Sequence, residues 1–350
     1  MNMYDYILET PKVAKDLLDN RKKSYKEAIG LLVNKDYDEI VFIGSGSSYN
    51  GSFTARYFVE KVLNKRVTCL YPYLVENFEK KLNDKAIYIF VSQSGESRLT
   101  YEVVNKIKDM GCDVITLTSN QESSIAKAGN VPIDMNCGEE TVPYKTKGYT
   151  CTYLSIIVMA LEAALEKKSI SKKEYEDYID ELYNIVSNLS EIISGTEKWY
   201  NENANRLKEG KSVLVVGTGA NYGTAIESHL KIIETVRCFT FVYELEEYMH
   251  GPQNSLSKDS VIFTINSGGV EDEKVKGLDK FLKSKLNNAY LVGKDGDIPV
   301  TLVGREELTP IELTVIFQII AYRYSVDCGI DLNKRAFEDF DEIVGKKVQK

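Results

Sequence analysis

Two stretches of this chain carry residue types that could hold a phosphorylated substrate and move its protons. The first is Ser92-Gln93-Ser94-Gly95-Glu96-Ser97, three hydroxyls around a glycine, closing an apolar segment and opening a helical one. Hydroxyl donors beside the unpaired N–H groups of a helix start suit a phosphate dianion. Capping alone asks for one such residue, so the run exceeds what a helix start needs. Ser47 and Ser48, in Gly44-Ser45-Gly46-Ser47-Ser48-Tyr49, follow an earlier apolar segment and add hydroxyls near the same place. The second stretch holds Lys231 and Glu234, three apart on one face of a predicted helix, and His250 within Met249-His250-Gly251-Pro252. A lysine and glutamate at this spacing form an exposed salt bridge or, with a histidine at hand, a proton-transfer set. His250 reads as a satisfied loop residue or as an acid/base. His229, the other histidine, lacks a loop context and reads as structural.

The elements that must position these residues occur twice. Val41-Phe-Ile-Gly44-Ser-Gly46-Ser-Ser-Tyr49 returns 173 residues later as Leu214-Val-Val-Gly217-Thr-Gly219-Ala-Asn-Tyr222. The same shift lays Phe90 to Gly95 over Phe263 to Gly268 without a gap, so the chain is a duplicated domain. The copies differ at the hydroxyls: Ala220, Asn221 and Ile265 stand against Ser47, Ser48 and Ser92. Short β-branched runs at 40–43, 67–70, 87–91 and 113–117 predict buried parallel strands, repeated near 212–216, 238–242, 260–265 and 288–292. Helical stretches such as 50–63 and 100–110 alternate with them. Two tandem doubly wound α/β sheets are therefore expected. The expected boundaries are 1–165 for the first domain with its N-terminal helix, 166–208 for an amphipathic helical linker, 209–330 for the second domain and 331–350 for a polar tail.

Composition narrows the functional classes. The 350 residues are 43% hydrophobic and 27% charged, with a net charge of −8. An acidic chain without a basic cluster is a poor partner for nucleic acid. The most apolar helical run, 156–161, ends at Glu162 and reads as a core helix too short to cross a bilayer. The first residues lack the pattern of a secretory signal, so a cytoplasmic protein is expected. Six scattered cysteines and two histidines offer no metal cage, and the thiols read as reduced core residues. The Gly44-Ser-Gly46 turn does not fit a dinucleotide fingerprint: Tyr49 replaces the third glycine, and no acid closes the strand at 67–70.

Together, Ser92-Gln93-Ser94-Gly95-Glu96 in the first copy, and Lys231-x-x-Glu234 with His250-Gly251-Pro252 in the second, resemble the tandem sugar isomerase (SIS) family. The likeness runs from the first strand to the last helix and is nearest to the isomerase half of glucosamine-6-phosphate synthase and to fructosamine 6-phosphate deglycases. The resemblance implies flavodoxin-like sheets and a phosphosugar substrate held by Ser47, Ser48, Ser92, Gln93, Ser94 and Ser97. It further implies that Glu234 moves the proton between C1 and C2, that Lys231 supports the intermediate, and that His250, donated by a neighbouring subunit, opens the sugar ring. A homodimer or higher oligomer with shared sites follows. No cofactor, metal or membrane is implied.

Two departures from the synthase pattern stand out. The first cysteine is Cys69, so a glutaminase domain with an N-terminal cysteine nucleophile is not expected. The place of the synthase's terminal imine-forming lysine is taken by Phe340, leaving Lys334, Lys346 or Lys347 to serve by another path. The reading is a phosphosugar isomerase or a fructosamine 6-phosphate deglycase, the latter favoured by these departures. The alternative is a non-catalytic phosphosugar-binding SIS regulator, which would have no use for Glu234 and His250 together.

Overall fold

Two parallel sheets form because their strands are nearly continuous runs of β-branched and aromatic residues that must be covered on both faces. A computed structural model describes residues 1–345. The first sheet contains β1 (Glu39–Gly44), β2 (Arg66–Leu70), β3 (Ala86–Val91), β4 (Asp113–Thr118) and β5 (Val131–Asp134), in the order β2-β1-β3-β4-β5. The second contains β6 (Ser212–Gly217), β7 (Phe239–Glu244), β8 (Ser260–Asn266) and β9 (Ala289–Gly293), in the order β7-β6-β8-β9. All pairings are parallel, as expected for doubly wound α/β folds. β5, absent from the sequence reading, is short, carries Pro132 and lies at an edge, where a missing N–H is tolerated.

The chain divides into two compact units. One holds Lys12–Thr141, Lys147–Asp180 and, of the described residues, 334–345; the other holds Met1–Pro11, Val142–Thr146 and Glu181–Asn333. In the first, Val41, Ile43, Tyr88, Phe90 and Ile107 form a continuous buried cluster. In the second, Trp199, Val215, Phe263, Ile316 and Phe317 do so. The helix Lys172–Lys208 contributes to both units, and its stripe of Tyr178, Leu182, Ile185, Leu189 and Ile192 is buried. The run at 156–161 belongs to a longer helix than the sequence suggested, Lys147–Lys167. Length and composition would let this helix cross a membrane, yet it is buried inside the protein from Lys147 to Ala164.

The duplication is visible in the backbone. Gly46 (φ 57°, ψ −135°) precedes the helix Ser47–Leu63, and Gly219 (φ 56°, ψ −132°) precedes the helix Ala220–Thr235. Side chains rarely enter this region, so glycine is what lets each chain turn from strand into helix within two residues. Gly95 (φ 68°) and Gly268 (φ 74°) repeat a second turn after β3 and β8. Strand order reverses between β1 and β3 and again between β6 and β8, so each pair of turns flanks a crevice at the carboxyl ends of the strands.

Candidate functional site

In the first crevice the hydroxyl groups line the two turns. Ser47 and Ser48 are the first two residues of their helix and half-buried; the capping position is Gly46, which offers no side-chain cap. Ser92, 8% exposed, extends the ladder beyond β3 by donating its N–H to the Leu117 carbonyl at 3.0 Å. Its own carbonyl accepts from Gly95 N–H at 3.0 Å and closes the turn. Ser94 is exposed, and its Oγ accepts from the Glu96 N–H at 3.4 Å. Ser97 sits at the capping position of the helix Arg98–Asp109 without capping it, its Oγ accepting from the Thr100 hydroxyl at 3.0 Å. Because that oxygen accepts, its own proton is free to donate to a ligand.

Gln93 serves differently from the serines around it. Its Nε2 donates to the buried Glu140 carboxylate at 2.9 Å, and its carbonyl accepts from the N–H (3.0 Å) and the hydroxyl (2.7 Å) of Ser119. Glu140 also accepts from the Gly148 N–H at 3.1 Å. A Cβ at position 148 would lie 2.2 Å from Gln93 Oε1. Gln93 thus ties the loop to β4 and to the 138–148 segment, holding the hydroxyls in place.

In the second unit the helix Ala220–Thr235 buries an ammonium. Lys231 is 1% exposed, bonded to Glu234 Oε1 and 3.5 Å from Oε1 of Glu227. Glu227 itself is fully buried. The sequence reading missed it; the signal was its place four residues before Lys231, which puts it on the same face. An ammonium withdrawn from water needs this much negative charge to remain charged. Glu234 retains 25% side-chain exposure, and its Oε2 makes no hydrogen bond among the described residues. One oxygen is fixed and the other is open to a ligand. The corresponding positions of the first helix, 173 residues earlier, are Thr54, Phe58 and Lys61. There Phe58 fills the core edge-on to Tyr178, so the first copy has no such group.

His250 ends the short helix Leu245–Met249, which Glu244 caps by accepting from the N–H groups of Glu246 (2.6 Å) and Glu247 (3.3 Å). Its imidazole is exposed, and among the described residues nothing pairs with it, so the structure does not join it to Lys231 or Glu234. His229 is half-buried with no partner for Nδ1, and burial lowers its pKa, favouring the neutral ring. Lys334 is exposed, while Lys346 and Lys347 lie outside the described residues.

Comparison with known proteins follows this division. The SIS domain model matches residues 32–163 and 206–298, one segment for each copy. The glutamine–fructose-6-phosphate aminotransferase (isomerizing) of Fusobacterium nucleatum is 26% identical over 347 residues, covering 95% of this chain and 57% of its own length. The chain thus spans little more than half of such relatives. Among solved structures, a candidate phosphosugar isomerase from Clostridium difficile 630 aligns over 100% of both chains with a TM-score of 0.90 and 26% identity. Glucosamine-6-phosphate deaminase from Thermotoga maritima aligns over 94% of this chain and 97% of its own, with a TM-score of 0.76 and 26% identity.

The charged triad makes an energetic prediction. Lys231→Met leaves Glu227 buried without its counterion and should cost about 3–5 kcal/mol in urea unfolding. Adding Glu227→Gln should recover part of that loss. A Lys231→Met protein as stable as the wild type would show that the three side chains are not energetically coupled.

Proposed function

The chain belongs to the SIS domain family, and from that premise we propose that it catalyses proton transfer between C1 and C2 of a phosphorylated sugar. The observation that carries this reading is Glu234: one oxygen held by a buried ammonium, the other free, on a helix whose counterpart in the first copy has Thr54, Phe58 and Lys61 at the three positions. A carboxylate is the base that aldose–ketose chemistry needs, since its conjugate acid can return the proton to the neighbouring carbon. Lys231 fixes the carboxylate and places positive charge where the enediolate gains negative charge. The first copy's serines and helix starts suit a phosphate group.

Ring opening requires a group that can both give and take a proton, and the exposed imidazole of His250 is suited to it. His250 acts on a substrate bound to a second copy of the chain, which makes the working unit at least a dimer. On a fructosamine 6-phosphate, the same first step removes a C1 proton. Reprotonation at C2 gives a C1 imine, and addition of water to that imine releases the amine and leaves an aldose 6-phosphate. The deglycase branch is the finer reading, and the open Glu234 oxygen serves its first proton transfer.

Glu234→Gln keeps the shape of the side chain and removes the base. Turnover should fall by about 10²- to 10⁴-fold with substrate affinity little changed. Mass spectrometry of hexose and fructosamine 6-phosphates incubated with the protein supplies the readout, and released amine identifies the deglycase branch. Near-wild-type turnover by the variant would remove Glu234 from the chemistry. Sharing of sites is tested by refolding Glu234→Gln and His250→Ala chains together. A mixed dimer then contains one intact site and should regain part of the activity, whereas mixed dimers as inactive as their parents would confine His250 to its own chain.

A further inference from the structure

The second copy has a crevice of the same backbone design, between the carboxyl ends of β6 and β8, and it is not empty. The Glu306 carboxylate stands over its two glycine turns. A Cβ built on Gly269 would lie 2.0 Å from Glu306 Oε2, and one on Gly219 would lie 3.6 Å from Oε1. The carboxylate therefore packs directly on the glycine backbone at the start of the helix Ala220–Thr235, although it makes no hydrogen bond of its own among the described residues.

What holds it there is its own loop. Glu312, fully buried in the first turn of the helix Pro310–Asp327, accepts from the N–H groups of Val303 and Gly304 at 3.0 Å each and from Asn188 Nδ2 at 3.0 Å. Both the backbone N–H and the guanidinium of Arg305 bond to Glu181. On the far side, the Thr309 hydroxyl donates to the Glu306 carbonyl at 2.8 Å and accepts from Asn221 Nδ2 at 2.9 Å. With the chain pinned on both sides, Glu306 has few other places to put its side chain. Lys294 lies across the same turn, its Nζ 3.0 Å from a Cβ built on Gly268, and forms no ion pair among the described residues.

We propose that the second crevice is a retained anion site kept shut by Glu306, a built-in carboxylate standing where a phosphate would otherwise bind. This rests on the reading that the equivalent crevice of the first copy takes phosphate. A fixed negative charge repels a dianion, and its volume fills the turn; without it, the helix start and the Lys294 ammonium, which also acts on Asp272, face the crevice. Glu306 thereby confines phosphate to the copy that carries the serines. The ligand admitted on its removal is inorganic phosphate or the phosphate of a sugar phosphate.

Calorimetric titration of the full chain with inorganic phosphate tests this, comparing wild type, Ser92→Ala/Ser94→Ala, Glu306→Ala and the triple variant. The expected stoichiometries are about one, none, two and one per chain, with the added site weaker than the first because Ile265 supplies no hydroxyl. Glu306→Ser carries the same expectation and serves if the alanine variant unfolds. Adding Lys294→Gln to Glu306→Ala should abolish the extra equivalent. No gain on removing Glu306 overturns the proposal, and so does a gain that survives Lys294→Gln. Undiminished binding by Ser92→Ala/Ser94→Ala would instead refute the phosphate role of the first crevice, while a gain at Glu306→Ala would still uphold the carboxylate plug.

Discussion

An ammonium cannot be buried in a helix face without anions beside it, and this constraint at Lys231 organises the second copy. Glu227 and Glu234, one turn to either side, are what the ammonium requires, and three charges on one helical face leave little freedom in how they are arranged. The consequence for chemistry is asymmetry within a single carboxylate. Glu234 bonds the lysine through one oxygen, while the other makes no hydrogen bond among the described residues. An isolated surface glutamate would turn freely; this one is aimed before any substrate arrives.

The two copies share a backbone and have diverged in what they place on it. Each uses a glycine in a side-chain-excluding conformation to turn from the first strand into a helix at the point where strand order reverses. The first copy lines that crevice with serines and fills the helix face with Phe58. The second has alanine, asparagine and isoleucine at the corresponding crevice positions and charges on the helix face. Glu306 completes the contrast by occupying the turn that phosphate would otherwise enter. The two copies thus carry different side chains on one repeated backbone.

Much of this was legible in the residues because it is local. The Gly-x-Gly repeat and the β-branched runs are written in consecutive positions, and they located eight of the nine strands among the described residues. β5 escaped because four residues containing a proline carry almost no strand signal. Lys231 and Glu234 were recognisable by spacing, whereas Glu227 gains meaning only once Lys231 is seen to be buried. Gln93 looked like one more donor in a serine loop; its commitment to Glu140, 47 residues away, is a tertiary fact. Glu306 could not be foreseen, since the glycines that it covers lie far earlier in the chain and no local pattern links them.

The claim that this chain moves a proton on a sugar phosphate can be tested most directly by proton NMR in D2O. Hexose, amino-sugar and fructosamine 6-phosphates that bind the protein are incubated with it, and the signals at C1 and C2 are followed over time. The account predicts that deuterium replaces hydrogen at one of these carbons with wild-type protein and not with Glu234→Gln. Saturable binding of a sugar phosphate, with both positions fully protonated after prolonged incubation, would contradict it and identify a binding module.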